Sequence, residues 1–190
     1  MLARVISAAV VGVDGLMVQV EVDLAQGLPS FSTVGLPEGA VREAKDRVRA
    51  AIRNSGYEFP PRRITVNLAP AAVKKEGTGY DLPIAVGILA AGGLFAHDQL
   101  DGTVIAGELS LDGSVRPVPG VLPMALAARQ EGMRRLLVPA ANVAEAAIVQ
   151  GLAVYPIERL DQAAAFLAGA ISLEPLSIDP ATLFAGRHHY

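Results

Sequence analysis

The sequence predicts an α/β fold of the α+β type, one sheet covered by helices. Three observations point there. Stretches in which apolar and polar residues alternate are interleaved along the chain with stretches of helical spacing. Alanine is abundant, 32 residues, while aromatics make up only 5%, a composition that lets helices lie close on a sheet. Apolar residues are 52% of the 190 positions, enough for one domain with a sizeable core and far from a disordered composition.

Residues 3–13 and 16–24 read as the strands of a β-hairpin, because Val18-Gln19-Val20-Glu21-Val22-Asp23 alternates and Asp14-Gly15 supplies a tight turn. The Gly- and Pro-punctuated segment 27–37 holds a short strand and leads into a helix, with Pro37 in its first turn. Val41, Ala44, Val48, Ala51 and Ile52 recur at helical spacing, and Asn54-Ser55-Gly56 is a stop. Pro60-Pro61 precedes a strand at 64–68. A loop at 69–80 follows, charged in its middle and Gly-rich at Gly77-Thr78-Gly79. Asp81 is placed to cap the next helix. The apolar run 82–96 is 15 residues long, short of the roughly 18–20 a bilayer span takes, so it reads as a buried helix. Arg4 and the apolar residues after it faintly imitate a signal peptide, but they pass straight into the alternating hairpin. No membrane contact is expected.

The second half continues with a strand at 104–106, then a hairpin around Leu111-Asp112-Gly113 returning through 115–118. A helix over 121–131 stops at Gly132. A strand at 135–138, a helix from Asn142, a strand at 153–156 and a helix at 160–167 complete the pattern, without internal repeats. From Ser172 the pattern dissolves, so the expected domain is 1–170, with 171–190 a linker or C-terminal tail.

Composition excludes several chemistries. With no Cys there is no disulfide scaffold, thiolate metal site or cysteine nucleophile; a reducing, cytoplasmic location fits. His97, His188 and His189 are the only histidines, too few and too badly placed for a metal site or a Ser-His-Asp triad. Neither Gly-Lys-Ser nor Gly-Lys-Thr occurs, so the chain has no P-loop.

Charge is unevenly distributed. The formal net charge is −3, yet residues 42–75 carry nine basic and three acidic side chains, leaving seven basic and sixteen acidic elsewhere. On the helix before Ser55, Arg42, Arg49 and Arg53 share one side, away from Val41, Ala44, Val48 and Ile52, with Arg47 close to that face. One reading is a solvated helix face laced by Glu38–Arg42 and Glu43–Arg47 pairs, each worth about 0.2–0.5 kcal/mol. The other is contact with a phosphate backbone, extended by Arg62, Arg63, Lys74 and Lys75. Scarce aromatics favour sequence-tolerant backbone contact over a base-stacking groove.

Several longer words carry a family resemblance: Val34-Gly35-Leu36-Pro37-Glu38-Gly39-Ala40-Val41, Arg47-Val48-Arg49-Ala50-Ala51-Ile52, Asn67-Leu68-Ala69-Pro70-Ala71, Lys75-Glu76-Gly77 and Asp81-Leu82-Pro83-Ile84-Ala85. In this order they resemble the N-terminal domain of the competence protein ComM (YifB) family, magnesium-chelatase-related AAA+ proteins. The resemblance spans about residues 2–170. It implies a parent protein with an ATPase module that uses ATP and Mg beyond this chain, a hexameric ring, and a role in DNA processing and branch migration during natural transformation. Ile105-Ala106-Gly107-Glu108-Leu109-Ser110-Leu111-Asp112-Gly113 and Pro139-Ala140-Ala141-Asn142 are similar to the Lon protease domain. That likeness implies the ribosomal-protein-type superfamily fold with a left-handed β-α-β unit.

Lon-type proteases use a Ser-Lys dyad in which the lysine takes the serine proton. Matching their Lys-Asp-Gly-Pro-Ser-Ala-Gly loop to the run from Lys75 puts Gly79 at the nucleophile position. Leu122, after Pro119-Gly120-Val121, stands where the lysine belongs. Glycine has no attacking atom and leucine accepts no proton, so no catalytic residue, metal ligand or cofactor site is assigned to this chain. The expected function is a non-catalytic accessory domain supporting ring assembly as a homo-oligomer, DNA contact, or both. A residual Ser/Thr-type hydrolase using Thr78 and a purely structural oligomerisation spacer are the alternatives.

Overall fold

The computed structural model of the chain describes residues 1–185; His188 and His189 lie outside the described residues. The strands are β1 (Leu2–Val11), β2 (Asp14–Ala25), β3 (Ser30–Val34), β4 (Arg63–Ala69), β5 (Thr103–Ile105), β6 (Glu108–Leu109), β7 (Val115–Arg116), β8 (Arg135–Pro139) and β9 (Ala153–Ile157). The helices are α1 (Gly39–Asn54), α2 (Asp81–Ala91), α3 (Val121–Gln130), α4 (Val143–Ala147), α5 (Leu160–Leu167) and α6 (Pro180–Ala185).

Seven strands form one sheet in the order β3-β4-β2-β1-β5-β8-β9, and β6 and β7 make a small separate ribbon. The β1–β2 and β2–β4 pairs are antiparallel; β3–β4, β1–β5, β5–β8 and β8–β9 are parallel. Parallel neighbours need a crossover, which α1 provides between β3 and β4, α3 between β5 and β8, and α4 between β8 and β9. The fold is therefore a mixed α/β sheet, mostly parallel and covered by helices.

Period-2 alternation distributes the side chains between two cores. From β1, Ala3, Val5 and Ala9 join the larger core beneath α1, α2 and α5, while Ile6 and Ala8 face the smaller one beneath α3 and α4. Helix α2 is buried on every side, as an unbroken apolar run requires. Helix α1 is amphipathic and buries Val41, Ala44, Val48, Ala51 and Ile52, the five positions its spacing predicts.

Four local expectations are corrected. The hairpin turn is Gly12-Val13, since Val11 pairs with Asp14 and Gly12 has φ +65°. Gly15 instead lies within β2, where a Cβ would stand 2.3 Å from the carbonyl oxygen of Pro123, so its role is close approach of α3. Pro37 precedes α1, whose N-cap is Glu38. Asp81 caps nothing; α2 begins without a side-chain cap, and the carboxylate turns elsewhere. Residues 173–178, assigned to the tail by the sequence, are held along the sheet edge. Leu173 packs on the larger core, Leu176 N–H donates to Val154 O (2.9 Å) and Ile178 N–H to Ala147 O (3.2 Å).

Candidate functional site

Two features gather the singled-out residues: a cleft around the matched dyad position, and the outward face of α1.

The cleft holds about 960 Å³. One wall is the far end of the β1–β2 hairpin, the opposite wall is the 72–80 loop, and Val118, Pro119 and Met124 complete it. Gly79 is in the lining. Its carbonyl accepts from Gly107 N–H at 3.0 Å, and a Cβ there would meet only Val118 Cγ1, at 3.8 Å. Val118 is fixed in turn by its N–H to Asn142 Oδ1, 2.9 Å. Leu122 is not in the lining; it packs against the smaller core beneath α3. The two matched dyad positions thus do not face one another across the cleft.

Thr78 also lines the cleft, as does Lys74, but the Lys74 ammonium is engaged by Glu38 Oε1 at 3.2 Å. Glu38 therefore pairs across to the loop, in place of the Glu38–Arg42 contact that helix spacing suggests. The open space at Gly79 makes a prediction: Gly79→Ser leaves the unfolding free energy within about 0.5 kcal/mol of the parent chain. A fluorogenic peptide shows no turnover with it, because no lysine stands opposite.

Lys75 is corrected outright. It is fully buried, its ammonium donates to Pro70 O, and burial holds its pKa below the ordinary lysine range. Its backbone ties the loop to the start of α1, with Lys75 N–H on Leu36 O (3.0 Å) and Glu38 N–H on Lys75 O (2.9 Å). It stitches structure together and is no part of a basic surface.

Arg47 is likewise turned inward. Its Nε and Nη2 donate to the Asp81 carboxylate at 2.7 and 3.0 Å, and Nη2 also to Ala40 O at 2.8 Å. Asp81 accepts a further bond from Leu109 N–H, 3.0 Å. Burial holds the Asp81 carboxyl above the usual carboxylate range despite the guanidinium, while the hydrogen bond to Asp81 pushes Arg47 up. This ion pair locks α1 to α2 and to the β6–β7 ribbon. The expected Glu43 contact is present at 3.7 Å, but it is the weaker of the two.

The outward face of α1 does gather cations. Arg42, Arg49 and Arg53 recur at seven and four residues and so share a stripe, about 16 Å long at 1.5 Å per residue. Arg49 and Arg53 both lie over the Phe59 ring, 5.4 and 5.7 Å from its centroid, and Phe59 stacks on Phe31 at 6.4 Å. Cation–π contact of this kind holds guanidinium groups at a surface without consuming their charge. Asp46 is the one acid on the stripe, 3.9 Å from Arg49. Lys45, exposed between Arg42 and Arg49, belongs to the same surface; sequence reasoning missed it although its spacing of three and four from those arginines marks it. Arg62 is exposed in the loop before β4. Arg63 alternates with the core residue Ile64 and therefore points to the opposite face of the sheet. Lys74 lies at the N-terminal end of α1, where it and Arg42 line a small recess with Glu38. The stripe thus comprises Arg42, Lys45, Arg49 and Arg53. Arg63 and Lys75 are excluded from it.

Among the described residues no group of three or more His, Asp or Glu side chains is placed to hold a metal ion, and no helix is long and apolar enough to cross a membrane.

Comparison with known proteins places the family. The family model for subunit ChlI of Mg-chelatase matches residues 20–142. Competence protein ComM of Haemophilus influenzae is 45% identical over 183 residues, 94% of this chain and 35% of its own length. YifB of Escherichia coli is 44% identical over 173 residues, 91% of this chain and 34% of its own. A Lon protease of Chloroflexus aurantiacus is 26% identical over 181 residues, covering 87% of this chain. The chain spans about a third of the length of the ComM and YifB relatives it matches. It belongs to the Mg-chelatase subunit ChlI family, as a ComM- and YifB-type member.

Proposed function

We propose that this chain is a non-catalytic accessory domain of a ComM-type AAA+ ATPase, acting in DNA processing or branch migration during natural transformation. Its own part is contact with the DNA backbone and support of a homo-oligomeric, hexameric ring in the cytoplasm. The observation that carries the reading is the stripe of Arg42, Lys45, Arg49 and Arg53 on α1, two of its guanidinium groups steadied on Phe59. Four cations in a line along one helix match a run of phosphates and release counterions on binding. They read no bases, which suits a protein that travels along DNA of any sequence.

ATP and Mg belong, in this proposal, to the part of the parent beyond this chain. The residues here do not fit a nucleotide. The acidic side chains Asp14 and Glu76 line the cleft, and Lys75, beside the Gly-rich turn, is turned away onto Pro70 O. No step through a nucleotide is assigned to this chain.

The test is fluorescence anisotropy with a labelled 20-base-pair duplex at low salt. Arg49→Glu combined with Arg53→Glu is expected to weaken binding at least tenfold while circular dichroism stays unchanged. Unchanged affinity removes DNA contact from this helix.

A further inference from the structure

The β1–β2 hairpin is longer than the sheet that supports it. Strand β1 meets β5 only at Ile6, opposite Val104, and β4 pairs with β2 only from Gln19 onward. Beyond Ile6, β1 has β2 on one side and no strand on the other. The closing pair of a two-residue hairpin is hydrogen bonded, here Val11 with Asp14. Counting back, Ser7, Ala9 and Val11 turn their N–H and C=O toward β2. Ala8 and Val10 turn theirs outward.

That open edge faces the 960 Å³ cleft. Ala8, Ala9, Val10 and Val11 of β1 line it, and so do Asp14, Gly15 and Leu16 of β2 across the hairpin, so the cleft takes in the end of the hairpin together with the edge of β1. From Ala8 to Gly12 that edge runs about 14 Å at 3.4 Å per residue. In the opposite wall the Tyr80 side chain is 3% exposed, and its hydroxyl has no hydrogen-bond partner. A buried hydroxyl without a partner is uncommon in a folded protein, and Ser7 and Ser55 carry the others found among the described residues. Asp14 and Glu76 also line the cleft, and neither has an ion-pair partner among the described residues, whereas Lys74 is already matched by Glu38. The unmatched charge of the cleft is therefore negative.

We propose that this cleft receives an extended segment of a partner protein, apolar in the main and carrying a basic side chain, which adds as a strand to the free edge of β1. Ala8 and Val10 supply the main-chain hydrogen bonds, the apolar walls take alternate side chains, and Asp14 and Glu76 take the basic one. Gly79 suits the role, since the absence of a side chain keeps the cleft open. The proposal is independent of the DNA-contact reading, which rests on α1.

The experiment measures binding of two fluorescein-labelled heptapeptides, Ser-Val-Lys-Val-Thr-Val-Ser and its counterpart with Glu for Lys, to the full chain. The Lys peptide is expected to saturate and to bind at least tenfold tighter than the Glu peptide. Val10→Pro removes an N–H that points off the hairpin, along with the isopropyl group that lies against Gly120, and is expected to weaken the Lys peptide at least tenfold. Glu76→Lys reverses the charge preference. Circular dichroism and melting of each variant establish that it is folded, and Arg49→Glu with Arg53→Glu leaves peptide affinity unchanged. Absence of saturable binding by either peptide overturns the proposal, as does binding indifferent to Val10→Pro and Glu76→Lys. Displacement of the peptide by duplex DNA, or self-association of the chain lost with Val10→Pro, also overturns it, giving the cleft to a nucleic acid or to a second copy.

Discussion

Arg47→Met is expected to lower the unfolding free energy by about 3 kcal/mol, the scale for removing one partner of a buried ion pair. For a chain of this size that corresponds to roughly 6–12 °C in melting temperature. The reason lies in what is left behind. Asp81 is fully buried and keeps only Leu109 N–H once the two guanidinium bonds are gone. Replacing both partners, Arg47→Met with Asp81→Leu, removes the stranded charge and is expected to restore most of the loss.

The pH dependence follows with a definite sign. Burial already holds the Asp81 pKa above its unfolded value, and loss of Arg47 raises it further. A carboxyl raised in the folded state favours folding fully only below its unfolded pKa, and that contribution is lost as pH rises through the folded pKa. The deficit of Arg47→Met is thus expected to be small near pH 3 and to reach its full size toward neutral pH. Denaturant melts across that range measure it; a deficit independent of pH would falsify the assignment to Asp81.

Gly35→Ala is expected to be more damaging still, costing about 4 kcal/mol or more and leaving little folded protein. Gly35 has φ +103°, and a Cβ would stand 2.1 Å from Leu68 O and 2.9 Å from its carbon, atoms of the β4 backbone that cannot swing aside. The next residue, Leu36, also has positive φ, 54°, so the chain turns from β3 toward α1 across the end of β4 with no room for a side chain. Gly39, four residues on, is the contrast. A Cβ there meets nothing within 4 Å and φ is ordinary, so Gly39→Ala at the first position of α1 is expected to be neutral or stabilising by up to about 1 kcal/mol. Thermal melts of the two variants side by side test both statements.

These residues also show how far the sequence could be read. Periodicity located α1 with its five core positions and α5 at its observed ends, because amphipathic spacing is a local signal. It placed the hairpin but misplaced the turn. Asp14-Gly15 has good turn chemistry, yet Gly15 is required where α3 crosses β2, a contact more than a hundred residues away in sequence. Asp81 looked like a helix cap for the same reason: its true partner, Arg47, is 34 residues earlier. The Lys74-Lys75 pair looked uniformly basic, although the loop exposes the first and buries the second. The cationic stripe was legible in Arg42, Arg49 and Arg53. The departure of Arg63 required the register of β4, and the role of Phe59 required tertiary contact. The open edge of β1 depends on sheet order, which no local pattern encodes.

Contact of the α1 face with phosphates is tested most directly by salt dependence. The binding constant of the chain for a random-sequence duplex, measured from 50 to 200 mM salt, reports the number of phosphates neutralised at about −0.9 in logarithmic slope for each. Four cations on the stripe predict a slope of about −3 to −4, falling by about 2 when Arg49 and Arg53 are both reversed to Glu. No binding at 50 mM salt, or a slope that the reversal leaves unchanged, would contradict it.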